Sequence, residues 1–123
     1  MKLLNIVLVF SLFCSTSSFA QLATGSIAPN FTLTDIDGET HELYDYLDEG
    51  KAVLLDFFAV WCGPCMSHAP ILNAAYQAYG PNGDNSMMFL ALESDDSTTD
   101  ANIEVDTYNG FQWNSELSYP IIN

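Results

Sequence analysis

The sequence predicts an α/β fold, and two apolar runs separated by a helical stretch are the observations that indicate it. Residues Ala52–Phe58 have the length and the β-branched and aromatic content of a buried strand. Residues 66–79 follow a helical pattern, and residues 87–92 form a second apolar run of strand length. Because a strand–helix–strand unit in one sheet joins parallel strands, we expect the two runs to pair in parallel.

The segment before the first run predicts a β-hairpin. Residues 31–35 alternate as a short strand does, Asp37 and Gly38 form a turn dipeptide, and residues 40–43 can return as the second strand. Residues 44–47 then predict a short helical turn. The hairpin therefore precedes the first strand of the sheet.

The segment after the second run is less regular. Residues 93–100 are acidic and rich in hydroxyl groups, which predicts a solvated loop rather than a calcium site, since an EF-hand glycine and terminal glutamate are lacking. A second helix is expected over residues 99–108, with Thr98 or Thr99 as its cap. Residues 119–122 predict the start of another strand.

Residues 1–20 have the pattern of a signal peptide. Lys2 supplies a positive charge, residues 3–13 form an apolar core, and Ala20 ends a small-residue cleavage site before Gln21. The core is too short for a stable transmembrane helix, although an uncleaved anchor is the alternative. We therefore expect a periplasmic or secreted protein that is not inserted in the membrane after cleavage.

A second reading of this segment concerns Cys14, which could mark a lipoprotein. Phe13 stands before Cys14, where a lipid-attachment signal needs a small residue. We therefore assign Cys14 to the signal peptide. One domain, residues 21–123, remains.

The charge of the chain excludes one class of partner. The sequence has 16 acidic residues against two of Lys or Arg, and after Ala20 the one remaining lysine is Lys51. Because nucleic acids and anionic membranes are held by cations, neither is expected as a partner. We expect a soluble monomer.

The segment Trp61–Cys62–Gly63–Pro64–Cys65 connects the first strand to the helix, and it predicts thiol–disulfide chemistry. A helix N-terminus stabilises a thiolate, so Cys62 is the expected nucleophile and Cys65 the resolving thiol of a redox-active disulfide. Gly63 and Pro64 keep the pair close while starting the helix, and Trp61 walls the site. The alternative is a structural disulfide or two inert thiols.

Asp56 lies within the first apolar run, where an unpaired carboxylate is costly to ionise. We therefore expect it to face the core beneath Cys65, to stay protonated near neutral pH and to destabilise the fold. It can act as the general base for Cys65. The alternative is an aspartate that faces water.

At these residues the chain resembles the thioredoxin superfamily, whose active-site sequence is Trp-Cys-Gly-Pro-Cys and whose buried aspartate corresponds to Asp56. Residues 25–38 resemble the opening of extracytoplasmic TlpA/ResA-type oxidoreductases and of related AhpC/TSA/redoxin-like proteins, and Pro70 matches their helix-kinking proline. The resemblance implies a thioredoxin-like fold, with a central mixed sheet flanked by helices, for residues 21–123.

The resemblance also implies that this fold is incomplete. Pro120, in the Tyr119–Pro120 pair, matches a segment that precedes the cis-proline loop of these families, so we do not expect Pro120 to be that cis-proline. The cis-proline loop, the final hairpin and the last helix are then missing.

The function implied is an exported thiol–disulfide oxidoreductase, with the Gly-Pro pair favouring a disulfide reductase. Protein dithiols or disulfides would be its substrates and another protein its electron donor, with no bound cofactor and no metal. One alternative is a peroxiredoxin-like peroxidase, disfavoured because the residues before Cys62 lack the threonine that a peroxiredoxin site requires. The other is a copper-handling module using both cysteines and His68. We interpret His68 as an exposed helix residue and assign His41 no role.

Overall fold

The computed structural model describes residues 22–123, so the predicted signal peptide and its cleavage site lie outside the described residues. The elements follow one another along the chain in this order: β1 (Thr32–Thr34), β2 (Thr40–Glu42), α1 (Leu43–Asp48), β3 (Ala52–Phe58), α2 (Gly63–Tyr79), β4 (Met87–Glu93), α3 (Asp100–Glu104), α4 (Trp113–Glu116) and β5 (Ile121–Ile122).

The strands form two separate sheets. The antiparallel pair β1–β2 is the predicted hairpin, with Leu33 opposite His41. The second sheet has the order β3–β4–β5 with parallel pairing throughout, which confirms the predicted strand–helix–strand unit. In its register Asp56 lies opposite Ala91 and Leu92 lies opposite Ile122.

The core is built around β4, whose residues 88–91 are all buried. The Trp113 ring packs 4.3 Å from the Phe58 ring, and its Nε1–H donates to the Val60 carbonyl at 3.0 Å. This bond satisfies the indole N–H inside the core, so α4 is fixed against the end of β3. Burial of these side chains is the main favourable contribution to stability.

Strand β3 is less buried than predicted. Leu55 is 37% exposed and Phe57 is 65% exposed, whereas Phe58 is buried. Within residues 22–123 β4 is the one strand that pairs with β3, so β3 has a free edge. Because side chains alternate across a strand, Leu55 and Phe57 share the open face, and Asp56 points to the opposite face with Phe58.

Helix α2 begins three residues before the predicted start, because Cys62 serves as its N-cap and Pro64 occupies its first turn. The apolar residues of the helix are not all buried. Tyr76 is buried and Leu72 is half-buried, but Ile71 is exposed because it lies one residue, about 100°, around the helix from Leu72.

The region after β4 differs most from prediction. The expected helix over residues 99–108 ends at Glu104, and Thr99 caps it reciprocally with Asn102. The chain then turns at Gly110, whose φ of +80° favours glycine, before α4, which was not predicted. No cis peptide bond occurs in residues 22–123, so Pro120 is not a cis-proline, in agreement with the sequence interpretation.

Candidate active site

Cys62 and Cys65 form a disulfide at the start of α2, with their Cα atoms 5.3 Å apart. The Cys65 backbone N–H donates to Cys62 Sγ at 3.2 Å. This N–H belongs to the first turn of the helix, where backbone donors lack partners within the helix. The same geometry would stabilise a Cys62 thiolate after reduction, as the sequence predicts.

The turn that places the pair begins at the buried end of β3. The Cys62 N–H donates to the Ala59 carbonyl at 2.8 Å, and the Cys62 carbonyl accepts from Met66 N–H at 3.1 Å. Gly63 and Pro64 are exposed, and a Cβ added at Gly63 would meet no atom within 4 Å. Packing therefore does not require glycine at position 63. Because glycine has no side chain, none projects beside the disulfide at this position.

Trp61 is held beside the disulfide by a residue that the sequence analysis assigned to a solvated loop. Trp61 is 65% exposed, and its Nε1–H donates to Asp95 Oδ2 at 2.8 Å. Asp95 Oδ1 accepts from the Ser97 hydroxyl at 2.7 Å and from the Ser97 N–H at 3.0 Å. Hydrogen bonds from the Ser97 side chain, from Trp61 and from the Ser97 amide lower the pKa of Asp95. In the sequence, an aspartate followed two residues later by a serine, Asp95 and Ser97, is the local pattern that indicates this turn.

Asp56 and Cys65 border the same cavity at the start of α2. A cavity of about 420 Å³ is lined by both Asp56 and Cys65, with His68 at its exposed edge. Asp56 is half-buried, and its Oδ2 accepts a hydrogen bond from the Tyr119 hydroxyl at 2.9 Å. The expectation of an unpaired carboxylate is therefore wrong, because β5 brings a donor from the other end of the domain.

Tyr119 is the site neighbour that the sequence analysis missed. It was interpreted only as the start of a strand, since nothing local connects it to Asp56, 63 positions away. Its ring is buried against Tyr76 and Phe89, at centroid distances of 5.6 and 5.8 Å. Burial, then the Asp56 charge and the hydrogen bond to it, raise the pKa of the Tyr119 phenol.

A second polar cluster lies in the hairpin. His41, which was assigned no role, is buried with Asp35: its Nε2 lies 2.9 Å from Asp35 Oδ2 and its Nδ1 lies 2.6 Å from the Tyr46 hydroxyl. Asp35 Oδ1 accepts from the Glu39 N–H at 2.8 Å and the Asp37 N–H at 3.1 Å. The cluster ties the hairpin to α1.

Two properties of the described region bear on cofactors and membranes. Residues 22–123 bring together no group of three or more His, Cys, Asp or Glu side chains that could hold a metal ion. Within the same range, no helix has the length and apolar character needed to cross a membrane.

Comparison with known proteins places this site in a family context. Residues 24–122 match the AhpC/TSA family. The thiol–disulfide oxidoreductase ResA of Geobacillus kaustophilus is 45% identical over 62 residues, which cover 50% of this chain and 34% of the relative. ResA of Bacillus thuringiensis subsp. konkukian is 31% identical over 106 residues, covering 78% and 58%. The chain thus spans between a third and three-fifths of these relatives.

Solved structures agree with the fold. The thioredoxin domain of a thiol–disulfide oxidoreductase from Bacteroides vulgatus superposes with a TM-score of 0.56 at 26% identity, covering 83% of this chain and 64% of that one. A putative protein disulfide isomerase from Bacteroides thetaiotaomicron gives 0.60 at 25% identity, covering 82% and 57%. The thioredoxin-like fold predicted from the sequence is confirmed.

Proposed function

The chain belongs to the AhpC/TSA family, and from that premise we propose that it is a ResA-type thiol–disulfide oxidoreductase that reduces protein disulfides. The observation that carries the proposal is the Cys62–Cys65 disulfide at the N-terminus of α2. A pair in this position can alternate between disulfide and dithiol while the helix stays in place. The names of the relatives, which are thiol–disulfide oxidoreductases, support the same reaction class.

In the proposed cycle the dithiol form reacts first through Cys62. Its thiolate attacks one sulfur of a partner's disulfide, and the partner's other sulfur leaves as a thiolate. Cys65 then gives up its proton to Asp56 and attacks Cys62, which closes the Cys62–Cys65 disulfide and releases the partner's second sulfur as a thiolate. The partner gains two electrons and the cysteine pair loses two.

The roles of the neighbouring residues follow from their positions. Trp61, held by Asp95, forms one side of the surface around the disulfide. Gly63 has no side chain to block a partner chain from reaching the disulfide. Pro64 occupies the first turn of α2 and restricts the backbone between the cysteines. Another protein would supply two electrons and reduce the Cys62–Cys65 disulfide back to the dithiol.

A disulfide-reduction assay tests the reaction. We expect the reduced chain to cleave the disulfides of insulin, and Cys62→Ser to abolish that activity. Cys65→Ser is the matched variant: it should accumulate a mixed disulfide between Cys62 and the substrate, visible by non-reducing electrophoresis and mass spectrometry. Normal turnover by both variants would contradict the proposal.

Export is the remaining part of the proposal, and the signal-peptide pattern of residues 1–20 supports it. We expect the mature chain to begin at Gln21 and to be recovered outside the cytoplasm. Intact-mass measurement of the chain expressed with its own N-terminus checks this. A retained Met1 or a lipid on Cys14 would contradict it.

A further inference from the structure

The contact between Tyr119 and Asp56 joins the start of β5 to the strand that leads into the disulfide. Tyr119 is 3% exposed, and its ring packs against both Tyr76 and Phe89. The next residue is tied to β4, because the Pro120 carbonyl accepts from the Ala91 N–H at 2.9 Å. The hydroxyl therefore reaches the carboxylate from a rigid position.

We propose that Tyr119 is a positioning residue for Asp56, which holds carboxylate oxygen Oδ2 and leaves Oδ1 to receive the proton of Cys65. The 2.9 Å bond to Oδ2 is the one hydrogen bond that Asp56 makes through its side chain within residues 22–123. Asp56 and Cys65 line one cavity, so the carboxylate and the resolving cysteine border the same space. The inference rests on the proposed function, because it assigns Tyr119 a part in the Cys65 step.

The hydrogen bond has a defined direction. Because burial and the Asp56 charge raise the pKa of the Tyr119 phenol, the phenol stays protonated at the pH of the reaction and is always the donor. A donor to an ionised carboxylate stabilises the charged form. Tyr119 is thus a fixed donor to Asp56 Oδ2, at a cavity that Ile71 and Leu72 also line.

Tyr119 supports the step that closes the Cys62–Cys65 disulfide. The Cys65 proton moves to Asp56 Oδ1 while the Cys65 sulfur bonds to the Cys62 sulfur. The bond between Cys62 and the partner's sulfur breaks, and that sulfur leaves with the electron pair as a thiolate. The Tyr119 proton remains on its oxygen throughout.

Tyr119→Phe in the full chain tests this role, because it keeps the buried ring and removes the hydroxyl. The measured quantity is the rate at which a mixed disulfide on Cys62 is released, as a function of pH. We expect the acidic limb of this pH–rate profile to shift to higher pH by roughly one unit, with the release rate recovering at higher pH. Tyr76→Phe is the matched control, since its ring lies in the same cluster but donates no bond to Asp56, and its limb should not move.

The outcomes separate the inference from the proposed function. The inference alone is overturned if Asp56→Asn removes the acidic limb of the pH–rate profile and Tyr119→Phe leaves that limb in place. It is also overturned if Tyr119→Phe lowers the release rate equally at every pH. A wild-type chain that releases no mixed disulfide at any pH overturns both. Infrared titration of the Asp56 carboxylate in the oxidised chain needs no turnover: a midpoint raised in Tyr119→Phe and unchanged in Tyr76→Phe supports the inference, and equal midpoints overturn it.

Discussion

Asp35 and Asp56 are both carboxylates removed from bulk solvent, but their surroundings differ. Asp35 is buried, and both of its oxygens are occupied, Oδ2 by His41 and Oδ1 by the amides of Asp37 and Glu39. Asp56 is half-buried, bonds Tyr119 through Oδ2, and opens on a cavity that also contains Cys65.

The number of carboxylate oxygens that are already hydrogen-bonded distinguishes a structural carboxylate from a reactive one. A carboxylate whose acceptor sites are filled by fixed donors cannot take a proton without breaking those bonds, so Asp35 is suited to holding the hairpin. A carboxylate with one fixed donor and one free oxygen can exchange a proton without such a loss. Burial alone does not distinguish them, because the more buried of the two is the structural one.

The largest expected effect is on stability at Asp35. Asp35→Ala leaves His41 buried without its partner and two amides without an acceptor, so we expect the free energy of unfolding to fall by about 3 kcal/mol. Urea denaturation measures this. The neighbouring carboxylate Asp37, which is exposed, provides the control: Asp37→Ala should change it by less than about 0.5 kcal/mol. Equal effects of the two variants would remove the structural role of Asp35.

The second expected effect is on rate at Asp56. Asp56→Asn keeps an acceptor for the Tyr119 hydroxyl but cannot take a proton, so release of the mixed disulfide should slow by about a hundredfold. Its free energy of unfolding should change by less than about 1 kcal/mol, in place of the stabilisation that an unpaired carboxylate would predict. Stopped-flow measurement of release, with Asp35→Ala as the control, checks the contrast. A similar slowing in Asp35→Ala would show that the two carboxylates are not functionally distinct.

A smaller effect should appear in the pH dependence of stability. Burial acts to raise the pKa of Asp35, but hydrogen bonds from His41 and the Glu39 amide, the charge of His41 and the Asp37 amide outweigh it and lower the pKa. A lowered folded-state pKa contributes stability that is present above the unfolded value, near 4. This stability is lost as the pH falls through the folded value.

The measurement is denaturation of the wild type and Asp35→Asn across acidic pH. The wild-type advantage in unfolding free energy should shrink as the pH falls below about 4. Asp37→Asn serves as the comparison at a neighbouring carboxylate. Its unfolding free energy should not converge on that of the wild type as the pH falls. A wild-type advantage that grows on acidification would reverse the sign of the assignment.

The smallest expected effect concerns a third carboxylate, Asp95, which lies at the surface and holds Trp61. Asp95→Ala should free the Trp61 ring and lower its fluorescence anisotropy, with no measurable change in stability. The other tryptophan, Trp113, is buried and provides a rigid background signal. Asp96→Ala, one residue away, should leave the anisotropy unchanged. An unchanged anisotropy in Asp95→Ala would show that packing, rather than the hydrogen bond, holds Trp61.

Prediction from the sequence succeeded where a short window contains the whole signal. The bounds of β3 were predicted correctly because the run Ala52–Phe58 is continuous and apolar. The start of α2 was placed late because its first turn depends on Cys62 as a cap rather than on apolar spacing. Helix α4 was missed, since a helix of four residues, Trp113–Glu116, is too short to show a period.

The hairpin, the parallel strand–helix–strand unit and the position of the two cysteines at a helix start could be predicted without the structure, because each depends on residues close together in the chain. The partners of the carboxylates depend instead on how distant segments pack. Tyr119 and Asp56 are 63 positions apart, and Trp61 and Asp95 are 34 apart. Such pairs meet only after strands and loops are packed. Their hydrogen bonds require donor–acceptor distances that are correct to within a few tenths of an ångström, which no local pattern encodes.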